Sequence, residues 1–135
     1  MPRVVTCILT HKETILLLKR SNEVKTYKGM WGGVAGYVEK GEQPRDTAYK
    51  ELQEEVSLTK NDVELVLEGN PHLFDDVYEG KTYHWVIYPF VFYIEKKEKI
   101  QIDWEHTELL WISPRDIHCY NSVPHLTDLV NQLFE

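Results

Sequence analysis

Three glutamates, Glu51, Glu54 and Glu55, have the residue type and spacing that suggest chemistry. At roughly 100° per residue on a helix, they fall within about 100° of arc. Carboxylates held so close repel one another and raise one another's pKa, which costs stability unless a cation neutralises them. Hard oxygen ligands at this density suit Mg²⁺ or Mn²⁺ better than Zn²⁺. A solvated acidic helix face is the alternative, and the cluster alone does not decide between the two.

The segment that carries these glutamates has the pattern of an amphipathic helix. Pro44 suits a first helical position, and Ala48, Tyr49, Leu52 and Val56 recur at helical spacing beside the acidic residues. One face of this helix is therefore expected to be buried, and the neighbouring face is expected to be acidic.

The rest of the chain is dominated by strand patterns. The first two predicted strands form a hairpin around the polar turn 11–13, and a glycine-containing loop leads into the third. Short terminal helices are predicted to begin near Pro114 and Pro124. Strands and helices interleave without regular βαβ alternation, which predicts a mixed β-sheet with helices packed on its faces. The predicted strands cover residues 4–9, 15–18, 34–38, 63–67, 72–78, 81–94 and 109–112.

Composition limits the classes of function. A length of 135 residues with 42% hydrophobic residues suits one domain over residues 1–135. The net charge of −7 argues against a stable nucleic-acid complex, so a phosphate-bearing substrate would need a bound cation to supply positive charge. Cys7 and Cys119 lack paired spacing, and neither a secretory leader nor a membrane-spanning run is apparent. These features predict a reduced, cytoplasmic protein.

The string GYVEKGEQPRDTAYKELQEEVSL, from Gly36 to Leu58, gives the glutamates a context. It resembles the Nudix box, a signature of glycine, five residues, glutamate, seven residues, and then Arg-Glu-apolar-any-Glu-Glu-any-Gly-apolar. Lys50 stands for the arginine of this signature and Ser57 for its second glycine. The seven matching positions of nine are Gly36, Glu42, Glu51, Leu52, Glu54, Glu55 and Leu58.

The resemblance implies an α/β/α sandwich and a Mg²⁺-dependent hydrolase, for which Mn²⁺ is a possible substitute. Such an enzyme cleaves a diphosphate bond in a nucleoside diphosphate linked to another group, through attack of a metal-activated water on phosphorus. By matching position, the carbonyl oxygen of Gly36 joins Glu51, Glu54 and Glu55 as a metal ligand. ADP-ribose, dinucleoside polyphosphates, NADH and oxidised nucleoside triphosphates all remain candidate substrates. A catalytically weak nucleotide-binding or sensor module is the alternative function, and the family's frequent dimers make a homodimer possible.

The two departures from the box concern geometry rather than ligands. The family's arginine holds the catalytic glutamates with a planar fork, whereas Lys50 offers a compact and mobile charge, so their orientation is expected to be looser. Ser57 replaces a glycine that lets the helix end turn left-handed, at a cost of roughly a kcal/mol for a residue with a β-carbon. A turn of another shape is therefore expected at Ser57.

Outside the box, the sequence Trp104-Glu105-His106, followed by Trp111, resembles a stretch of diadenosine tetraphosphate hydrolases in which an acidic residue joins the metals. Glu105 is accordingly a candidate ligand and catalytic residue, with Glu108 as the next candidate. A surface glutamate in a loop is the alternative. Aromatic and basic residues could bind the substrate, although core packing and solubilising charge are their commoner roles. The candidates are Trp31, Lys28 and Tyr83, with Tyr27 and Trp85 as further aromatic rings and Lys19, Arg20 and Lys81 as further phosphate contacts.

Overall fold

An eight-stranded mixed β-sheet with one helix on each face forms the framework, in a computed structural model that describes residues 2–134. The helices are α1 (Pro44–Val56) and α2 (Leu126–Leu133), and two 3₁₀ helices cover Lys97–Lys99 and Pro114–Cys119. The strands are β1 (Arg3–His11), β2 (Thr14–Arg20), β3 (Trp31–Gly32), β4 (Val34–Tyr37), β5 (Val63–Glu68), β6 (His72–Tyr78), β7 (Lys81–Ile94) and β8 (His106–Ile112).

The sheet is mixed because its two central strands run in the same direction. β1 pairs in parallel with β7, from Arg3 opposite Val86 to Thr10 opposite Tyr93. β1 also pairs antiparallel with β2 and β4, and β2 pairs antiparallel with β3 and β8. β5 and β6 both pair antiparallel with β7. The prediction of a mixed sheet is confirmed.

Consecutive apolar residues on β2 fill two cores. Leu16 and Leu18 pack with α1, whereas Ile15 and Leu17 pack with α2 on the other face. Successive strand side chains point to opposite faces, so a strand buried on both sides must be apolar throughout. Each fully buried aliphatic side chain contributes about 2 kcal/mol relative to exposure. The two cores produce the α/β/α arrangement that the sequence predicted.

The predicted elements agree with the structure except at some boundaries and at β3, which lies in a segment predicted to be a loop. The hairpin, α1 and the central strands are present, but β8 begins at His106, three residues before its predicted start. Pro114 begins a 3₁₀ helix, and α2 begins at Leu126, two residues after Pro124. None of the helices in residues 2–134 is long and apolar enough to cross a membrane.

The end of α1 differs from the expectation for Ser57. Ser57 adopts the left-handed conformation itself, with φ 63° and ψ 31°. Its N–H donates to the Gln53 carbonyl at 3.1 Å, and the Leu58 N–H donates to the Leu52 carbonyl at 3.2 Å. These bonds close the helix and place Leu58 fully in the core. The expected change of turn shape was wrong, because these interactions outweigh the roughly 1 kcal/mol that a left-handed serine costs.

Candidate active site

A cavity of about 380 Å³ lies where β4, α1 and the segment before β8 meet. This volume falls within the range of small-molecule sites. Glu51 and Glu54 of α1 line it together with Gly36 of β4 and Glu105 of the segment before β8. The fold therefore brings box residues and the predicted residue outside the box to one cavity.

Glu55 is buried behind the part of the cavity wall that Glu51 and Glu54 form, and its relative exposure is 2%. Its Oε1 accepts a hydrogen bond from His106 Nε2 at 2.9 Å and a long one from the Ala35 N–H at 3.5 Å. Its Oε2 is buried and has no hydrogen-bond partner among residues 2–134. Burial, together with the nearby charge of Glu105, raises the pKa of Glu55 well above its ordinary value. Both effects favour the neutral form of the Glu55 carboxyl group.

Glu51 lies against the backbone of Gly36. A β-carbon placed on Gly36 would overlap the Glu51 carboxylate and would come within 2.6 Å of its Cγ, so any larger residue here would displace the Glu51 side chain. Burial first, and then the charges of Glu55 and Glu54, raise the pKa of Glu51 to about 8. Its Oε2 is likewise buried without a partner in the described part of the chain.

Glu105 and Glu108 occupy different environments. Glu105 lines the cavity, and its backbone is anchored on both sides, because its N–H donates to Asp103 Oδ1 at 3.1 Å and its carbonyl accepts from the Ser21 N–H at 2.8 Å. Burial and the nearby charge of Asp103 raise the pKa of Glu105. Glu108 is exposed and forms an ion pair with Lys19 at 3.3 Å. The geometry therefore favours Glu105 over Glu108 as the acidic residue outside the box.

These groups fit a hard divalent cation. Within residues 2–134, no three His, Cys, Asp or Glu side chains converge as a ready-made ligand set. Glu51 and Glu55 nevertheless each carry a buried oxygen that has no partner among those residues, and the pKa of each is raised by burial and by neighbouring carboxylates. A cation would satisfy these oxygens and remove the repulsion between them.

Lys50 has a different partner from the one expected. Its Nζ donates to Glu42 Oε2 at 2.8 Å. The other oxygen of Glu42 accepts from the Glu39 N–H and from Thr47 Oγ1, both at 2.9 Å. These bonds lower the pKa of Glu42 to about 2. The expectation that Lys50 holds the ligand glutamates is corrected, because Lys50 instead fastens the loop before α1 to the helix.

The three leading candidates for substrate binding do not line the cavity, whereas the further candidates Arg20, Tyr27 and Trp85 do. Trp31 packs beside the α2 core, edge-on to Tyr120 at 6.3 Å between ring centroids. Lys28 is exposed in a turn, and Tyr83 stacks on Trp85 at 5.4 Å. Of the other candidates, Lys19 pairs with Glu108, and Lys81 lies over the Tyr83 ring. The large side chains that do line the cavity are Arg20, Tyr27, Tyr37, Trp85 and His125.

Arg20 supplies fixed positive charge to the cavity. Its Nε donates to the Thr26 carbonyl at 3.0 Å, and its Nη2 donates to Thr26 Oγ1 at 3.4 Å. Burial lowers the pKa of Arg20, while the charges of Glu55 and Glu105 oppose this effect. A guanidinium stays protonated under such conditions, so Arg20 is a cation held close to the carboxylates.

The aromatic part of the cavity is neutral. Tyr37 and Trp85 approach to 5.9 Å between ring centroids, and Tyr27 donates from its hydroxyl to Asp76 Oδ2 at 2.6 Å. Burial lowers the pKa of His125 to about 4, so its imidazole is uncharged at neutral pH. Sequence patterns gave no signal for Tyr37 or His125, and they named His106 only as a neighbour of Glu105.

Comparison with known proteins gives a family match and several similar folds. A family model described as the NUDIX domain matches residues 1–133. An Ap4A hydrolase of C. elegans, solved as a binary complex, is 17% identical over 98% of this chain and 95% of that one, with a TM-score of 0.79. The dihydroneopterin triphosphate pyrophosphohydrolase of E. coli is 17% identical over 96% and 92%, with a TM-score of 0.80. The NUDIX domain of Shewanella oneidensis NrtR, complexed with ADP ribose, is 17% identical over 97% and 84%, with a TM-score of 0.72.

Proposed function

The chain belongs to the Nudix family, whose members are generally hydrolases of phosphoanhydride bonds, and from this premise we propose a Mg²⁺-dependent hydrolase. It cleaves a diphosphate bond in a nucleoside diphosphate linked to another group. The observation that carries this proposal is the pair of buried carboxylate oxygens, on Glu51 and Glu55, that have no partner within residues 2–134. We place the activity in one cytoplasmic domain of residues 1–135, in keeping with the free thiols of Cys7 and Cys119 among the described residues.

The groups proposed to hold the cation are Glu51, Glu54, Glu55, Glu105 and the carbonyl oxygen of Gly36. When bound, Mg²⁺ or its substitute Mn²⁺ would neutralise diphosphate oxygens and lower the pKa of the attacking water. Glu105 is proposed either as a ligand of this cation or as the base for that water, because it lines the same cavity as Glu51 and Glu54. Its raised pKa makes Glu105 a stronger base than an ordinary carboxylate.

Arg20 is the proposed contact for a substrate phosphate. Thr26 engages Nε and Nη2 and so fixes the plane of the guanidinium, which leaves Nη1 without a protein partner in the described residues. A fixed guanidinium positions a phosphate oxygen more sharply than a mobile ammonium. Arg20→Lys should therefore raise KM more than it lowers kcat, and steady-state rates would measure this.

The aromatic part of the cavity supports a nucleoside as one end of the substrate. Tyr37 and Trp85 offer ring faces on which a base could stack, a contact worth about 1–3 kcal/mol. The neutral imidazole of His125 could donate or accept one hydrogen bond to a heterocycle. Inorganic polyphosphate would use none of these contacts, so we propose that a nucleotide is preferred.

A substrate panel tests the proposal. ADP-ribose, diadenosine tetraphosphate, NADH and an oxidised nucleoside triphosphate would each be incubated with the protein and Mg²⁺, and the products identified. Cleavage of a phosphoanhydride bond that stops in chelator is the expected result. Tight binding of one compound without turnover would instead identify a sensor module. If the protein neither binds nor cleaves any of these nucleotides, the proposed function is refuted.

A further inference from the structure

We infer that His106 is a positioning residue that decides which oxygen of Glu55 is available to the cation. This inference rests on the proposed function, in which Glu55 is a metal ligand. The two side chains form a buried pair with relative exposures of 2% and 3%, and the distance from His106 Nε2 to Glu55 Oε1 is 2.9 Å. With its proton on Nε2, the imidazole donates to the carboxylate.

The two oxygens of Glu55 are not equivalent in this arrangement. Oε1 receives both hydrogen bonds, a short one from His106 and a long one from the Ala35 N–H, whereas Oε2 is buried with no partner in residues 2–134. The terminal torsion of a glutamate is broad, so a carboxylate without a fixed donor can rotate. The donor at Oε1 suppresses this rotation and leaves Oε2 as the free ligand atom.

The turn that carries His106 holds Glu55 by its backbone as well. The Asp103 N–H donates to the Glu55 carbonyl at 3.1 Å, and the His106 N–H donates to the Asp103 carbonyl at 3.2 Å. His106 also lies opposite Arg20 in the pairing of β8 with β2. The sheet and the turn together thus fix the backbone from which the imidazole projects towards Glu55.

The second ring nitrogen argues against a purely structural histidine. His106 Nδ1 is buried and has no partner in the part of the chain that the structure describes. An unsatisfied buried polar atom destabilises the fold, and an apolar side chain of similar size would avoid this cost. Partners that orient metal ligands in this way typically change metal affinity by about 10–100-fold.

The test compares His106→Leu, which removes the donor, with His106→Gln, whose amide nitrogen can still reach Glu55. Mn²⁺ binding would be measured by calorimetry without substrate, and thermal unfolding would be measured in chelator. His84→Leu is the matched control, because His84 bonds Asp75 Oδ1 at 2.8 Å on an exposed surface outside the cavity.

His106→Leu should bind Mn²⁺ about tenfold or more weakly, His106→Gln should come within about threefold of wild type, and His84→Leu should match wild type. Wild-type affinity in His106→Leu, or equal losses in both His106 variants, would overturn the inference. A wild-type protein without Mn²⁺ affinity would refute the proposed function itself, and the inference with it.

If His106→Leu does not fold, a measurement on the wild-type protein tests the role of His106. ¹⁵N spectra of the wild-type imidazoles should show His106 protonated on Nε2, with a resonance that moves as Mg²⁺ saturates the protein. A proton on Nδ1, or a resonance that Mg²⁺ does not move, would overturn the inference.

Discussion

Replacing Glu51 by glutamine should stabilise the cation-free protein at neutral pH and reduce its response to Mg²⁺. Burial, with the charges of Glu55 and Glu54, raises the pKa of Glu51 from 4.5 to about 8. Because the folded pKa lies above the unfolded one, the stability that the protonated group contributes is complete below pH 4.5. It is lost as the pH rises towards 8, and glutamine has no proton to lose.

The size of this effect follows from the width of the pH window. Without solvent screening, each pH unit between 4.5 and 8 lowers the free energy of unfolding by about 1.4 kcal/mol. The loss between pH 4.5 and pH 7 is therefore at most about 3.4 kcal/mol. Glu51 is only partly buried, and solvent screening reduces the expected difference to about 1–2 kcal/mol. For a chain of this size, that difference corresponds to a rise in Tm of roughly 3–8 °C.

The assay is thermal unfolding in chelator from pH 5 to pH 8. Wild type should lose stability across this range, and Glu51→Gln should lose about 1–2 kcal/mol less between pH 5 and pH 7. Glu108→Gln, which removes an exposed glutamate paired with Lys19, should stay within about 0.5 kcal/mol of wild type throughout. An identical pH dependence in Glu51→Gln and wild type would refute the reasoning.

Substitutions at three further positions, with Glu108 as a control, separate the parts of the site. Gly36→Ala should lower kcat at least tenfold in steady-state assays, because its β-carbon would displace the Glu51 carboxylate, a proposed metal ligand. Lys50→Arg should keep activity, since a guanidinium can also reach Glu42, whereas Lys50→Met should lose more of the activity. A strongly inactive Lys50→Arg variant would show that Lys50 has a role that only lysine can fill. Glu105→Gln should lower kcat roughly a hundredfold while Glu108→Gln changes little, and the reverse order would reject Glu105.

The sequence was informative where structure is local. The 3.6-residue periodicity beside Pro44 predicted α1 and the acidic face that carries Glu51 and Glu54, because both depend only on spacing along one helix. Strand alternation likewise predicted the hairpin and the central strands. The resemblance to the Nudix box placed Gly36 and Glu51 in one site, and the structure shows the Glu51 side chain packed against the backbone of Gly36.

The sequence was uninformative where tertiary packing selects partners. Lys50 could have reached several glutamates, and only the loop before α1 places Glu42 at 2.8 Å. His106 meets Glu55 from a sequence distance of 51 residues. Aromatic residues on strands look alike whichever face they occupy. Sequence patterns therefore could not separate Trp31, which packs beside the α2 core, from Trp85, which lines the cavity. The spacing of residues in the sequence does not show which face of a strand borders the cavity.

Hydrolysis in H₂¹⁸O tests the central claim most directly. Wild type and Glu55→Gln would be given diadenosine tetraphosphate or ADP-ribose with Mg²⁺ or with chelator, and the products would be analysed by mass spectrometry. Water attack on phosphorus predicts one ¹⁸O in a phosphate product of the wild-type reaction with Mg²⁺. Chelator should abolish cleavage, and a folded Glu55→Gln variant should lose it. Wild-type cleavage in chelator, or undiminished cleavage by Glu55→Gln, would contradict the account.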